Sequence, residues 1–397
     1  MRLRDEQYRA YEIIAVFSDV SDRALAGLRR ALESYLAEPT VLDARRNWPA
    51  AWRYPVEEIH DRAAASVHSL DVSSERALIA TRDLELTVLP LLIASADRTV
   101  TIKLSHAAFD GSSALEIVRY LAGVAAGEQF TLDDRPLARL PLLRALRQVT
   151  AAGREQFQLW RRERSTSVPV VADAPAVTPP GNFVSFELSR EEIRSLREEP
   201  GAALRSTKNT RLCSIAVEAL AQMAPREDDR PVLIPVDLRR YIRDARITGN
   251  FVATDTYGAL RTSDWSPGAI SERLGRAGSN GTPVLTFAES ITRYTVNRAK
   301  ARIRPAKSDP NATPSVTISL LTMRHDFPEE FWHATKRRFG ATTFGPWHSA
   351  TLISVSTMGG TVRLSLWDES GWFDADEFEN RFRALLATRT ADAAIEG

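Results

Sequence analysis

Apolar residues recur along the chain with two periods, two residues and 3.6 residues, and the order of those segments predicts strands mixed with helices in each half. Residues 11–17 (Tyr-Glu-Ile-Ile-Ala-Val-Phe) read as a strand. Ser21 then caps a helix on which Leu25, Leu28, Leu32, Tyr35 and Leu36 recur at helical spacing. After a less regular stretch with aromatic residues between 48 and 54, the apolar runs 86–94 and 99–105, separated by Ser-Ala-Asp-Arg, predict a hairpin. Helical patterns follow at 112–125 and 141–163.

The second half starts on a strand, 182–188, and Ser189 with Glu192 forms a capping box for a helix over 190–198. The pattern then predicts a helix around Cys213–Met223, a strand at 231–236, helices near 267–275 and 284–302, and strands near 315–321, 350–357 and 361–367. A last helix, 375–388, starts after Asp374 and carries Phe378, Phe382, Leu385 and Leu386 on one face. Between the halves, residues 165–181 turn to Ser, Thr, Val, Ala and four prolines, the composition of a linker. The expected organisation is a lobe at 1–164, a Pro-rich linker at 165–181 and a second lobe at 182–397, each an α/β (α+β) sandwich.

Composition leaves this picture standing and narrows the function. The 397 residues suffice for two lobes with separate cores, and 44% hydrophobic with 26% charged residues is the balance of an ordinary globular protein. Lys plus Arg total 52 against 51 for Asp plus Glu, so the net charge of +1 offers no electrostatic case for nucleic acid or an anionic membrane. Lysine occurs only at 103, 208, 300, 307 and 336, and so general an excess of arginine carries no argument about any one of them. The single cysteine, Cys213, excludes an intrachain disulfide and a cysteine-based zinc site, and its apolar helix reads as burial. No secretory signal is read at the N-terminus, and a cytoplasmic location is expected.

No His-Glu-x-x-His, P-loop, Gly-x-Gly-x-x-Gly or Gly-x-Ser-x-Gly pattern is present, so no metal is expected. Of the six histidines, 60, 68, 325 and 333 stand in structural or surface settings, and His348 reads equally as a turn residue. His106 differs. Val100, Ile102 and Leu104 alternate up to it on a strand, and Ala-Ala-Phe-Asp-Gly follows. A histidine at the end of a buried strand is suited to accept a proton, and Gly111 permits close backbone approach after Asp110. Two readings of Asp110 stay open, a helix cap and an ionic partner of an arginine or of the imidazole.

Residues 105–111 (Ser-His-Ala-Ala-Phe-Asp-Gly) resemble the H-x-x-x-D-G signature of the acyltransferase superfamily that includes chloramphenicol acetyltransferase, plant BAHD and polyketide-associated acyltransferases and nonribosomal-peptide condensation domains. Further segments are similar to that family: Pro235-Val236-Asp237-Leu238-Arg239 with Gly249-Asn250-Phe251-Val252, the strand 315–320, Phe344-Gly345-Pro346-Trp347, and 361–386. Ser105 stands where condensation domains usually carry a first histidine, and Pro346 replaces the Trp of the plant element.

The resemblance implies two chloramphenicol-acetyltransferase-like lobes forming a pseudodimer around a central channel. It implies His106 as general base for attack of a hydroxyl or amine on a thioester, with acyl-CoA or a phosphopantetheinyl thioester as co-substrate and no bound cofactor. Asp110 and Gly111 would shape the turn, with Arg239 paired to Asp110; Thr317, Ser319 or the Trp347 indole would meet the oxyanion. A small-molecule acceptor and an acyl or peptidyl carrier protein are the implied partners, and a monomer the expected state. Two other readings remain open: a condensation-type cyclisation or dehydration of a tethered substrate, and a non-catalytic module that docks a carrier protein.

Overall fold

The structure, a computed structural model, describes residues 11–45, 48, 52–74, 76–132, 135, 137–138, 140–150, 158, 182–196, 208–224, 229–242, 244–247, 251–303, 315–322, 327–333, 338–344, 351–358, 361–368 and 373–395. The strands in chain order are β1 Glu12–Ser18, β2 Val67–Ser69, β3 Leu91–Ala96, β4 Thr99–Ser105, β5 Asn182–Leu188, β6 Pro231–Asp237, β7 Val252–Ala259, β8 Val316–Thr322, β9 Arg338–Phe344, β10 Thr351–Met358 and β11 Thr361–Asp368. They form two sheets, β2-β3-β4-β1-β9 and β5-β11-β10-β8-β6-β7.

Each sheet has its own core, because alternate residues of its strands meet a pair of amphipathic helices on one face. In the N-terminal lobe, Ile13, Ala15 and Phe17 of β1 and Val100, Ile102 and Leu104 of β4 pack with the helices Asp22–Ala37 and Gly111–Ala126. Those helices touch along a tight line: a Cβ on Gly27 would lie 2.4 Å from the Ala125 carbonyl oxygen, so glycine is required there. In the C-terminal lobe, Val316 and Ile318 of β8, Ile353 and Val355 of β10 and Leu364 and Leu366 of β11 cover the helices Lys208–Met223 and Ala375–Ile395. Cys213 sits in this core at 0% exposure, and burial pushes its thiol up to about 12.

The lobes are interlocked. Residues 338–344, in the half assigned above to the second lobe, form β9, which pairs antiparallel with β1 in the first sheet. Phe327, Phe331, Trp332 and Phe339 close around Phe17 with ring centroids 5.0–6.0 Å away, which anchors this part of the C-terminal half in the N-terminal core. Ile14 and Val16 of β1, pointing away from that core, meet Leu352 of β10 and Trp367 of β11 between the sheets.

Several boundaries differ from the sequence expectation. The run 86–94 splits, and only Leu91–Ala96 is a strand; Leu84–Val88 runs beside the sheet without strand pairing. The final helix extends to Ile395. β7 and β9 were not expected, since Val252–Ala259 and Arg338–Phe344 carry Gly, Ala, Thr and charge where the pattern of a buried strand wants large apolar residues. The linker 165–181 lies outside the described residues. Among the described residues no helix is long and apolar enough to cross a membrane.

Candidate active site

The motif 105–111 is placed by strand pairing on one side and a buried ion pair on the other. Glu12 stands opposite Ser105 in the β1–β4 ladder, and the His106 backbone N–H donates to the Tyr11 carbonyl at 2.7 Å, extending that ladder one step. The chain then turns sharply, with Ala108 and Phe109 N–H both donating to the Ser105 carbonyl at 3.1 Å. His106 is half-buried at this turn, its Nδ1 shielded from solvent and its ring edge-to-face with Tyr11 at 6.5 Å.

Asp110 serves both readings left open by the sequence, one with each oxygen. Its Oδ1 accepts the Ser113 N–H at 3.0 Å and caps the helix Gly111–Ala126. Its Oδ2 accepts from Arg239 Nη1 at 2.6 Å and from the Phe251 N–H at 2.9 Å. Arg239 in turn donates to Ser113 Oγ at 2.9 Å and the Ile247 carbonyl at 3.1 Å, and meets Asp237 Oδ1 at 3.3 Å. Ser112 Oγ donates to Asp237 Oδ2 at 2.6 Å, closing a network that ties the motif helix to the end of β6. Asp110 is fully buried, and both of its oxygens are engaged in this network.

Burial alone would raise the Asp110 carboxyl, but the Arg239 guanidinium and the Ser113 and Phe251 amides outweigh it and hold the group below the usual carboxylate range. A depressed folded value means that the ionised network contributes its full stability above the unfolded carboxylate value of about 3.9, and loses it as pH falls through the lower folded value. The urea midpoint of the wild type is therefore expected to drop on acidification below about pH 4, and to drop less in Asp110→Asn. An equal acid response in the two proteins would show that other carboxylates govern it.

β8 faces the motif. Val316 and Ile318 enter the C-terminal core, so Thr317, Ser319 and Leu321 share the opposite face. Leu321 belongs to the N-terminal core, and its Cδ2 lies 2.9 Å from where a Cβ on Gly111 would stand. Gly111 has an ordinary helical backbone, so its role here is this close approach. Thr317 is 2% exposed, and its Oγ1 is buried without a hydrogen-bond partner among the described residues; Ser319 is half-buried. Trp347, with Gly249, Asn250, Gly345, Pro346, His325 and His348, lies outside the described residues. Among the other histidines, His60 pairs with Glu33 at 3.0 Å and His333 with Asp19 at 3.7 Å, both at the surface.

Sequence reasoning did not find the contributions of Ser112, Ser113 and Asp237 to the Arg239 network, nor the pair formed by Glu12 and Lys103. Lys103 Nζ lies 2.7 Å from Glu12 Oε2 and donates to the Arg82 and Leu84 carbonyls at 2.6 Å each. Its one visible signal was a lysine inside the apolar strand Val-Thr-Ile-Lys-Leu, in a chain with so few.

This arrangement of two interlocked lobes is a fold shared with solved condensation domains and with an acetyltransferase. Three solved structures define the likeness. Polyketide synthase associated protein 5 from Mycobacterium tuberculosis matches with a TM-score of 0.57 and 16% identity over 98% of this chain and 97% of its own. Trichothecene 15-O-acetyltransferase from Fusarium sporotrichioides matches with a TM-score of 0.55 and 14% identity over 98% of this chain and 92% of its own. The starter condensation domain of rhizomide synthetase, in complex with C8-CoA and Leu-SNAC, matches with a TM-score of 0.53 and 14% identity over 99% of this chain and 92% of its own. No family model matches the chain, and no curated protein matches it in sequence.

Proposed function

We propose that the protein transfers an acyl group from a thioester, on CoA or on the pantetheine arm of a carrier protein, to a hydroxyl or amine of a small molecule in natural-product biosynthesis. His106 removes the proton of the acceptor as its oxygen or nitrogen attacks the thioester carbonyl. The tetrahedral intermediate then collapses, the carbon–sulfur bond breaks, and the thiolate leaves with the proton from His106. Transfer in this reading is direct, and Cys213, buried in the C-terminal core, takes no part as a nucleophile. Asp110 and Arg239 are positioning residues that hold the turn carrying His106.

The observation that carries this reading is Thr317. A buried hydroxyl without a partner is costly in a folded protein, and among the described residues Thr317 Oγ1 has none; it shares a β8 face with Leu321, which stands four residues further along the strand and packs against Gly111. A donor kept unpaired in a buried site is what an oxyanion requires, since its hydrogen bond then forms only as charge develops. Thr317→Val keeps the shape and removes the donor. It is expected to lower kcat by roughly 10²–10³-fold with little change in either KM, while Thr317→Ser retains most of the rate. A kcat unaffected by valine would transfer the oxyanion role to Ser319 or Trp347.

A further inference from the structure

Away from the N-terminal core, β4 presents Thr101, Lys103 and Ser105, and beside the last two lies a cavity of about 660 Å³. Ser105, which lines the cavity, immediately precedes His106 in the chain. A volume of this size fits a small organic ligand.

The cavity is built on Lys103. This side chain is 2% exposed, and its ammonium, with three donors, meets three acceptors: the Arg82 carbonyl, the Leu84 carbonyl and Glu12 Oε2. The same segment is held further along by Trp52 Nε1, which donates to the Leu86 carbonyl at 3.0 Å, and by Arg62 Nη1, which donates to the Val88 carbonyl at 3.0 Å. Every second carbonyl from 82 to 88 is thus fixed by a side chain of the N-terminal lobe, which gives the unpaired segment 84–88 a definite position as the cavity wall. Arg82 is engaged as well: its guanidinium lies over the Trp367 ring at 5.2 Å and pairs with Asp83 at 3.1 Å.

Three carboxylates line the cavity; Asp83 and Glu85 are exposed, and Glu12 is the most buried of them. Lys103 holds one of its oxygens; among the described residues nothing bonds the other, and the side chain, 27% exposed, lines the cavity opposite Ser105. Both cations of the cavity are occupied within the protein, whereas carboxylate oxygens are left over, that of Glu12 the least exposed. The Trp52, Leu84 and Leu86 side chains supply apolar surface beside it.

We infer that this cavity is the acceptor pocket, and that Glu12 is its specificity-determining residue, accepting a hydrogen bond from an ammonium or hydroxyl group on an acceptor whose apolar body lies against Trp52, Leu84 and Leu86. The word acceptor rests on the acyl-transfer reading; the pocket and its preference do not.

Binding without turnover tests it. Phenethylamine, 2-phenylethanol and 3-phenylpropanoate, equal in apolar body, are titrated against protein carrying nitrogen-15 in its tryptophan indoles, with the Trp52 signal assigned from Trp52→Phe. The amine and alcohol should move the Trp52 signal, the amine more tightly, and the carboxylate should bind at least about tenfold more weakly, in line with a charge-assisted hydrogen bond. Glu12→Gln should erase the differences among the three, and Glu85→Gln should leave them in place. Should Glu12→Gln unfold the protein by isolating the Lys103 charge, Glu12→Gln combined with Lys103→Met removes both charges and should show the same loss of preference. Equal affinity of the three probes for wild type, an unaltered preference in the Glu12 variants, or no movement of the Trp52 signal overturns the inference. Selective binding in a protein that never turns over a thioester would retain the pocket and remove the acyl-transfer reading, whereas turnover with an acceptor KM indifferent to Glu12→Gln would do the reverse.

Discussion

Replacing His106 by alanine is expected to reduce acceptor-dependent release of free thiol from an acyl thioester by roughly 10²–10⁴-fold, the contribution of a positioned general base. The loss should fall on kcat, because the imidazole is assigned a proton and not the binding of either substrate. Stability should change by no more than about 1 kcal/mol. His106 is tied into the sheet through its backbone N–H to Tyr11, which alanine keeps, and its half-buried ring stands outside the hydrophobic core. Kinetics and a urea unfolding curve of the same preparation separate the two effects. A variant as active as wild type would remove His106 as base, and one that is inactive and unfolded would make its role structural.

The opposite balance is expected at Asp110. Removing one partner of a buried ion pair leaves the other charge uncompensated, and such changes destabilise by about 3–5 kcal/mol. Asp110→Ala should fall in that range, since it withdraws the acceptor of three donors at once, the Arg239 guanidinium, the Phe251 N–H and the Ser113 N–H. Activity should fall with it, because the turn that carries His106 loses its tie to Arg239. Combining Asp110→Ala with Arg239→Met provides the check: the double variant should be more stable than the sum of the single losses predicts, because no buried charge is then left alone. Strictly additive losses would mean that the two side chains do not interact.

How much of this was legible in the sequence follows from what each feature depends on. The period-two and 3.6 patterns mark strands with one apolar face, such as β1 and β4, and helices with an apolar stripe, such as Asp22–Ala37, because local chemistry decides both. The Pro235–Arg239 segment and the His106–Gly111 motif were visible for a related reason, being short runs of unusual residues next to a strand end. β9 was not, since Arg-Phe-Gly-Ala-Thr-Thr-Phe becomes a strand through its partner β1, more than 300 positions away, and Gly340 leaves room for the Arg363 stem. The Glu12–Lys103 pair joins residues from different strands, and alternation alone cannot say which charged side chains meet across a ladder. Thr317 could be named as one of several hydroxyls; only the packing distinguishes it, by leaving it buried and, among the described residues, unpaired where Ser319 is half-buried.

The central claim, acyl transfer from a thioester to a small acceptor, is tested most directly by thiol release from acyl-CoA and acyl-pantetheine donors, with and without pooled alcohols and amines, alongside mass spectrometric detection of the acylated product. Release is expected to depend on the acceptor and to match the ester or amide formed mole for mole. Binding of donors and acceptors with no thiol released from any pairing, whether the donor is CoA or a loaded carrier protein, would contradict it and make the protein a docking module on an acyltransferase fold.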